Sequence, residues 1–190
     1  MSKSTIQTIA RVLKVLVTIT FVCNLLALLL VPGLAGIAGE GGVSALQSAM
    51  EGDGVPGPLF FLAVCWQALW RVWREPYSAV LTLFLWAAGI CTAAILWQGR
   101  RVLCTILRGT PFCLENAVSL RRAAVCSFVI SLAALARLIF SLYWFRSPVP
   151  LVSYNALFVP IFAMFGLLCL VMAALFGQAA EIKAENDLTI

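Results

Sequence analysis

Four long uncharged stretches divide this chain, and each is bounded by basic residues or by Pro and Gly. Between Lys14 and Glu40 there are 25 residues without a charge, and Val15 to Val31 is almost unbroken aliphatic. The pair Pro32-Gly33 then predicts the end of a helix. Tyr77 to Gln98 gives a second run of 22 uncharged residues, enough at about 1.5 Å each to cross a hydrocarbon core of about 30 Å. Ala123 to Phe145 is a third, interrupted only by Arg137. A fourth lies within the uncharged stretch Ser147 to Ala180, with its core from about 154 to 177. The pattern predicts an all-α membrane protein, a four-transmembrane-helix bundle with spans about 15–31, 77–98, 123–145 and 154–177.

The remaining segments lack the apolar content to cross. Residues 33–76 form a loop whose first part holds eight glycines and the acids Glu40, Glu51 and Asp53, with room for a short helix around Ser44–Met50. Within it, Leu59–Trp70 is apolar but too short to span, and Trp66, Trp70 and Trp73 fall at helical spacing. Indole rings prefer the headgroup level, so this segment reads as an interfacial helix. Re-entry, or extension of the next span, is the alternative. Residues 99–122 make a polar connection and 181–190 a polar tail, all within one integral membrane domain over residues 1–190.

Composition agrees: 63% of the 190 residues are apolar and only 11% charged, with a mean hydropathy of +1.02. A soluble globule is excluded. The net charge of +5 is explained by topology rather than by direct binding of nucleic acid. With the N-terminus inside, Lys3, Arg11, Lys14, Arg100, Arg101, Arg108, Arg121, Arg122 and Lys183 are cytoplasmic, against Arg71, Arg74 and Arg146 outside. Both termini are therefore expected in the cytoplasm, with 33–76 as the extracytoplasmic loop. A crossing by Leu59–Trp70 would make five spans and place the arginine-rich connection outside, against that count. The segment before Val31 imitates a signal peptide but is long and lacks a cleavage motif, so a retained signal anchor is expected.

Chemistry-bearing residues are scarce. There is no histidine, and the seven cysteines (23, 65, 91, 104, 113, 126, 169) form no CxxC pair. Nucleophile, metal and phosphate-loop motifs are missing, so no enzyme, metal or cofactor is expected. Cys104 and Cys113, near arginines, leave a redox-sensor alternative. Arg137 stands about 12 Å from the end of its span, beyond the reach of a snorkelling side chain of about 6–7 Å. It should face the bundle interior, at an insertion cost of about 2.5–3.5 kcal/mol. Two readings follow: a ligand site with Asn24, Trp66 and Trp70 as further candidates, or a structural hydrogen bond from Arg137 to Asn24 and to carbonyls freed by Pro160, where an unwound turn near Ala156 is expected.

The connection reads Gly109-Thr110-Pro111-Phe112-Cys113-Leu114-Glu115-Asn116, then Leu120-Arg121-Arg122, and the chain closes on Glu185-Asn186-Asp187-Leu188-Thr189-Ile190. These two stretches resemble the paired signatures of the bacterial membrane family catalogued as domain of unknown function 2975. The resemblance implies a four-span inner-membrane protein without established activity, often encoded beside a Cro/C1-type helix-turn-helix regulator. Cys113 stands where the family carries a capping Ser or Thr, and Thr110 followed by Pro111 is the expected substitute cap. Thr110 to Arg122 should form a helix running into span three. Phe112, Glu115, Asn116, Arg121, Arg122, Glu185 and Asp187 are the expected partner-docking residues, with Arg121 or Arg122 contacting Glu185 or Asp187. The expected function is a sensor or regulatory anchor that recruits such a regulator. An oligomeric anion or small-molecule transporter subunit, or a purely structural subunit, are the alternatives, and homo-oligomerisation is open.

Overall fold

The computed structural model describes residues 3–37, Trp66, Trp70, Trp73, Arg74 and 76–188. Among the described residues four long helices run in chain order: α1 (Lys3–Ile37), α2 (Pro76–Leu107), α3 (Leu114–Phe145) and α4 (Tyr154–Leu188), with a 3-10 turn at Val149–Val152 before α4. All four carry apolar stretches long enough to cross a membrane. No strand is present among the described residues. The short helix expected at Ser44–Met50 and most of 33–76 lie outside them. Trp66 and Trp70 are themselves helical and exposed.

The helices outrun the apolar runs that announce them. The 32 residues of α2 extend about 48 Å, against a hydrocarbon core of about 30 Å. Apolarity marks where the bilayer is, whereas the helix continues until a residue breaks its hydrogen bonds. Thus α2 passes Gln98 through Arg100 and Arg101 to Leu107, and the expected 99–122 connection shrinks to 108–113. Likewise α1 continues through Pro32-Gly33 to Ile37. Proline there removes one backbone bond without ending the helix, a tolerance common in membrane helices. Pro160 behaves similarly: α4 is continuous across it, with no unwound turn near Ala156.

The break after α2 has a physical cause. Thr110 N–H donates to the Thr105 carbonyl and Gly109 N–H to that of Ile106, both at 3.1 Å, with Gly109 at φ 80°. This is a Schellman stop, which needs a left-handed residue that glycine supplies without a Cβ clash. Pro111 then forbids continuation. Thr110 is spent on that stop and is not a cap: α3 is capped by Cys113 in extended conformation, without a side-chain hydrogen bond.

Packing follows chain order, antiparallel at each step: α1 on α2, α2 on α3 and α3 on α4 are the helix pairs in contact among the described residues. Central to this open bundle is α3, whose buried positions Asn116, Ser119, Ala123, Ser127, Ile130 and Ala134 recur every three or four residues, with Ser141 two turns farther on. Small residues let backbones approach where hydrophobic exclusion from water offers no drive between helices. Ala123, Ala124 and Cys169, with Ile95 and Phe128, join α2, α3 and α4. Gly166 lies under the Phe128 ring and Gly89 under Leu28, while Ser131 donates to the Val159 carbonyl at 2.8 Å. The large aliphatic side chains of α1 and α4 point outward, as lipid-facing surfaces should.

Candidate functional site

One end of the bundle is closed by the connection 146–153, and there a cavity of about 420 Å³ opens between α2, α3 and α4. Its polar wall is Arg137, Ser141, Ser147, Ser153 and Asn155; its apolar wall includes Phe84, Leu138 and Phe145. Arg137 belongs to the small-residue face of α3, one turn from both Ala134 and Ser141, which is why it points inward. Its Nη1 donates to Asn155 Oδ1 at 3.3 Å, and its guanidinium carbon lies 4.9 Å from the Phe84 ring centroid. Phe84 is buried, so the cation rests on a desolvated aromatic face. Tyr77 meets Phe145 edge-on at 5.4 Å on the rim. Ser153 Oγ donates to the Pro150 carbonyl at 2.6 Å, and Val149 N–H donates to Ser147 Oγ at 3.3 Å. These bonds shape the connection locally, and Ser147, Val149, Pro150 and Ser153 line the cavity.

This geometry separates Arg137 from the partners expected for it. Leu28 faces Gly89, which sets Asn24 about level with Ala93, some 13 Å by helical rise from the level of Phe84. Moreover, α1 touches α2 but not α3 among the described residues. Asn24 therefore cannot reach Arg137, and its Oδ1 is buried without a hydrogen-bond partner among those residues. The carbonyl beside Pro160 is taken by Ser131 rather than by Arg137. Trp66 and Trp70 are exposed and are not in the cavity wall. Asn155 escaped the sequence reading because it stands at the edge of its span, although it is the one amide between Ser147 and Gly177.

At the opposite end, around the turn 108–113, the expected docking residues divide. Asn116 is only 1% exposed. Its Nδ2 donates to Thr105 Oγ1 and to the Pro111 carbonyl, each at 2.7 Å. It clamps the turn and is no docking residue. Phe112 is half exposed and lies against Phe176 of α4, centroids 5.8 Å apart. Glu115, Arg121 and Arg122 are exposed, and so is Glu185, which is already engaged in a contact. Asp187 is helical in backbone.

The contact of Arg121 or Arg122 with the tail does not form. Ala117 lies opposite Gly177, and Arg121 lines a groove with Ala173 and Ala174. Glu185 runs the other way along α4, about 18 Å by helical rise from the level of Arg121 and farther from Arg122. That is too far for an ion pair. A third depression, of about 290 Å³, lies between α2 and α3 and gathers Glu115 with Arg100, Arg101 and Arg108, three arginines whose sequence pattern suggested only a topology signal. No group of three His, Cys, Asp or Glu side chains able to hold a metal occurs among the described residues.

No curated protein and no solved structure matches the chain significantly. A family model described as protein of unknown function (DUF2975) matches residues 54–190, which leaves α1 outside the match and takes in α2, α3 and α4, and the chain belongs to that family.

Proposed function

We propose that this DUF2975 protein is a non-enzymatic regulatory membrane protein that binds a small amphipathic anion beside Arg137 and passes its occupancy to a cytoplasmic partner. The carrying observation is a guanidinium in a cavity of about 420 Å³, hydrogen-bonded to a neutral amide and facing no carboxylate among the described residues of the cavity wall. A cation held within a span is expensive unless something compensates it. A carboxylate or similar anion would do so, its alkyl part lying along Phe84, Leu138 and Phe145. The cavity volume is in the range of small-molecule sites. Because α2, α3 and α4 all contribute walls, occupancy favours one arrangement of the three helices over others.

The antiparallel packing gathers Arg11, Lys14, Arg100, Arg101, Arg108, Arg121, Arg122 and Lys183 towards the turn end. The excess of basic residues supports a reading in which that end faces the cytoplasm, with a bacterial inner membrane implied by the family resemblance. The output surface comprises Phe112, Glu115 and the last turns of α4 with Glu185 and Asp187. A helix-turn-helix regulator is the partner class the resemblance implies.

The test titrates purified protein and its Arg137→Gln variant with decanoate and with decyltrimethylammonium, following thermal unfolding in a neutral detergent. Decanoate should raise the Tm of the parent protein and leave the variant unmoved, and the cationic amphiphile should do neither. Equal responses to both amphiphiles would sink the reading. Pulldown from native membranes, with residues 187–190 intact or deleted, tests recruitment.

A further inference from the structure

Between α2 and α3 at the turn end, Arg100, Arg101 and Arg108 line one depression of about 290 Å³ together with Trp97 and Glu115. Arg101 and Arg108 are seven residues apart and so share one face, with Arg100 one residue off it and Arg108 the first residue past the end of α2. The Arg100 guanidinium stands 5.6 Å from the Trp97 ring centroid, and that ring is backed by Phe21 of α1 at 5.8 Å. None of the three arginines is paired with a carboxylate among the described residues. Three guanidiniums against one carboxylate leave the depression with a formal charge of +2.

Its height in the bilayer is set by the chain. Arg100 and Arg101 are the first charges after the uncharged run Tyr77 to Gln98, so they begin at the edge of the hydrocarbon. Arg108 lies about 12 Å farther along the axis. The stripe thus crosses a headgroup layer roughly 5–8 Å thick per leaflet, with an indole at its base where such rings prefer to lie. A concave, unpaired cationic surface at phosphate height matches the phosphate of an anionic lipid, since arginine binds phosphate through a planar fork of donors.

We infer that the α2–α3 depression at the turn end is a binding site for the phosphate headgroup of an anionic phospholipid, held by Arg100, Arg101 and Arg108. Trp97 packs the glycerol region, and Glu115 moderates affinity by repulsion. The site is independent of the Arg137 cavity at the other end of the bundle.

The experiment titrates the full chain in neutral detergent with phosphatidylglycerol, with phosphatidylcholine and with inorganic phosphate, reading Tm and the lipid retained in native mass spectrometry. Phosphatidylglycerol should stabilise and be retained, whereas the other two should not. Each Arg→Gln substitution at 100, 101 or 108 should weaken phosphatidylglycerol about fivefold, and all three together roughly a hundredfold. Arg121→Gln with Arg122→Gln, outside the depression, should leave it unchanged. Should the triple variant fail to fold, Glu115→Gln decides, because removing the repelling carboxylate should tighten the lipid. Equal retention of phosphatidylcholine, an equal loss on changing Arg121 and Arg122, or no gain from Glu115→Gln would each overturn the assignment. Stabilisation by inorganic phosphate alone would replace the lipid by a soluble phosphate.

Discussion

Asn116 Nδ2 lies 2.7 Å from Thr105 Oγ1, bridging the first turn of α3 to the last turns of α2. The same hydroxyl is 2.9 Å from Asn116 Oδ1 and 2.7 Å from the Val102 carbonyl. Its single proton therefore serves one of these acceptors. With the bond from Asn116 to the Pro111 carbonyl, the amide ties both helices and the turn between them. Asn116→Ala should cost about 2–3 kcal/mol, the loss of two buried hydrogen bonds and of the shape that made them. Thr105→Val should cost about 1 kcal/mol. Thermal unfolding in detergent measures both, and a Tm unmoved by Asn116→Ala would remove the clamp.

Two left-handed residues give predictions of opposite sign. Gly109 at φ 80° has open space around its Cβ position, so Gly109→Ala tests backbone strain alone and should destabilise by about 1 kcal/mol. Arg146 ends α3 at φ 47°, where a side chain is disfavoured. Arg146→Gly should be neutral or stabilising by up to about 1 kcal/mol. Loss of stability in Arg146→Gly would show that the Arg146 side chain holds the connection by its contacts.

Helix-facing glycines follow a different rule. A Cβ on Gly166 would meet Phe128 Cε1 at 3.0 Å, whereas one on Gly99 meets nothing within 4 Å. Gly166→Ala should therefore destabilise by about 1–3 kcal/mol through overpacking. Gly99→Ala should stabilise by up to about 1 kcal/mol through helix propensity. Denaturation of the two variants side by side reads the difference, and similar Tm shifts would contradict it.

Arg137 sets stability against function. Arg137→Leu removes a cation that costs about 2.5–3.5 kcal/mol near a span centre, so it should raise Tm in the absence of ligand while abolishing the decanoate response. An unchanged Tm would mean that water entering the cavity already solvates the guanidinium.

The register of α3 on α4 predicts a crosslink. Cysteines at 117 and 177, in a background lacking other thiols, would have Cβ atoms about 4.0 Å apart, within disulfide range. They should oxidise readily, and cysteines at 121 and 185 should not. Efficient bridging of the second pair would show that the tail folds back along α3.

The four apolar spans and their order were legible from the chain, because removing charge over about 20 residues is what a bilayer demands of any span. The break at Gly109 and Pro111 is equally local, glycine supplying the left-handed residue and proline forbidding continuation, yet the sequence pattern suggested a helix starting at Thr110-Pro111, whereas α3 starts at Leu114. The partner of Arg137 was not. Its choice of Asn155 over Asn24 depends on which helices touch, and α1 packs on α2 alone among the described residues. Nor did spacing along the chain reveal that Asn116 faces inward or that the tail lies about 18 Å from the level of Arg121. Local propensity and hydropathy act within a few residues, so sequence alone determined the elements. Lateral neighbours and axial register arise from small-residue contacts such as Gly166 on Phe128, and only the tertiary structure decided which side chains share a cavity.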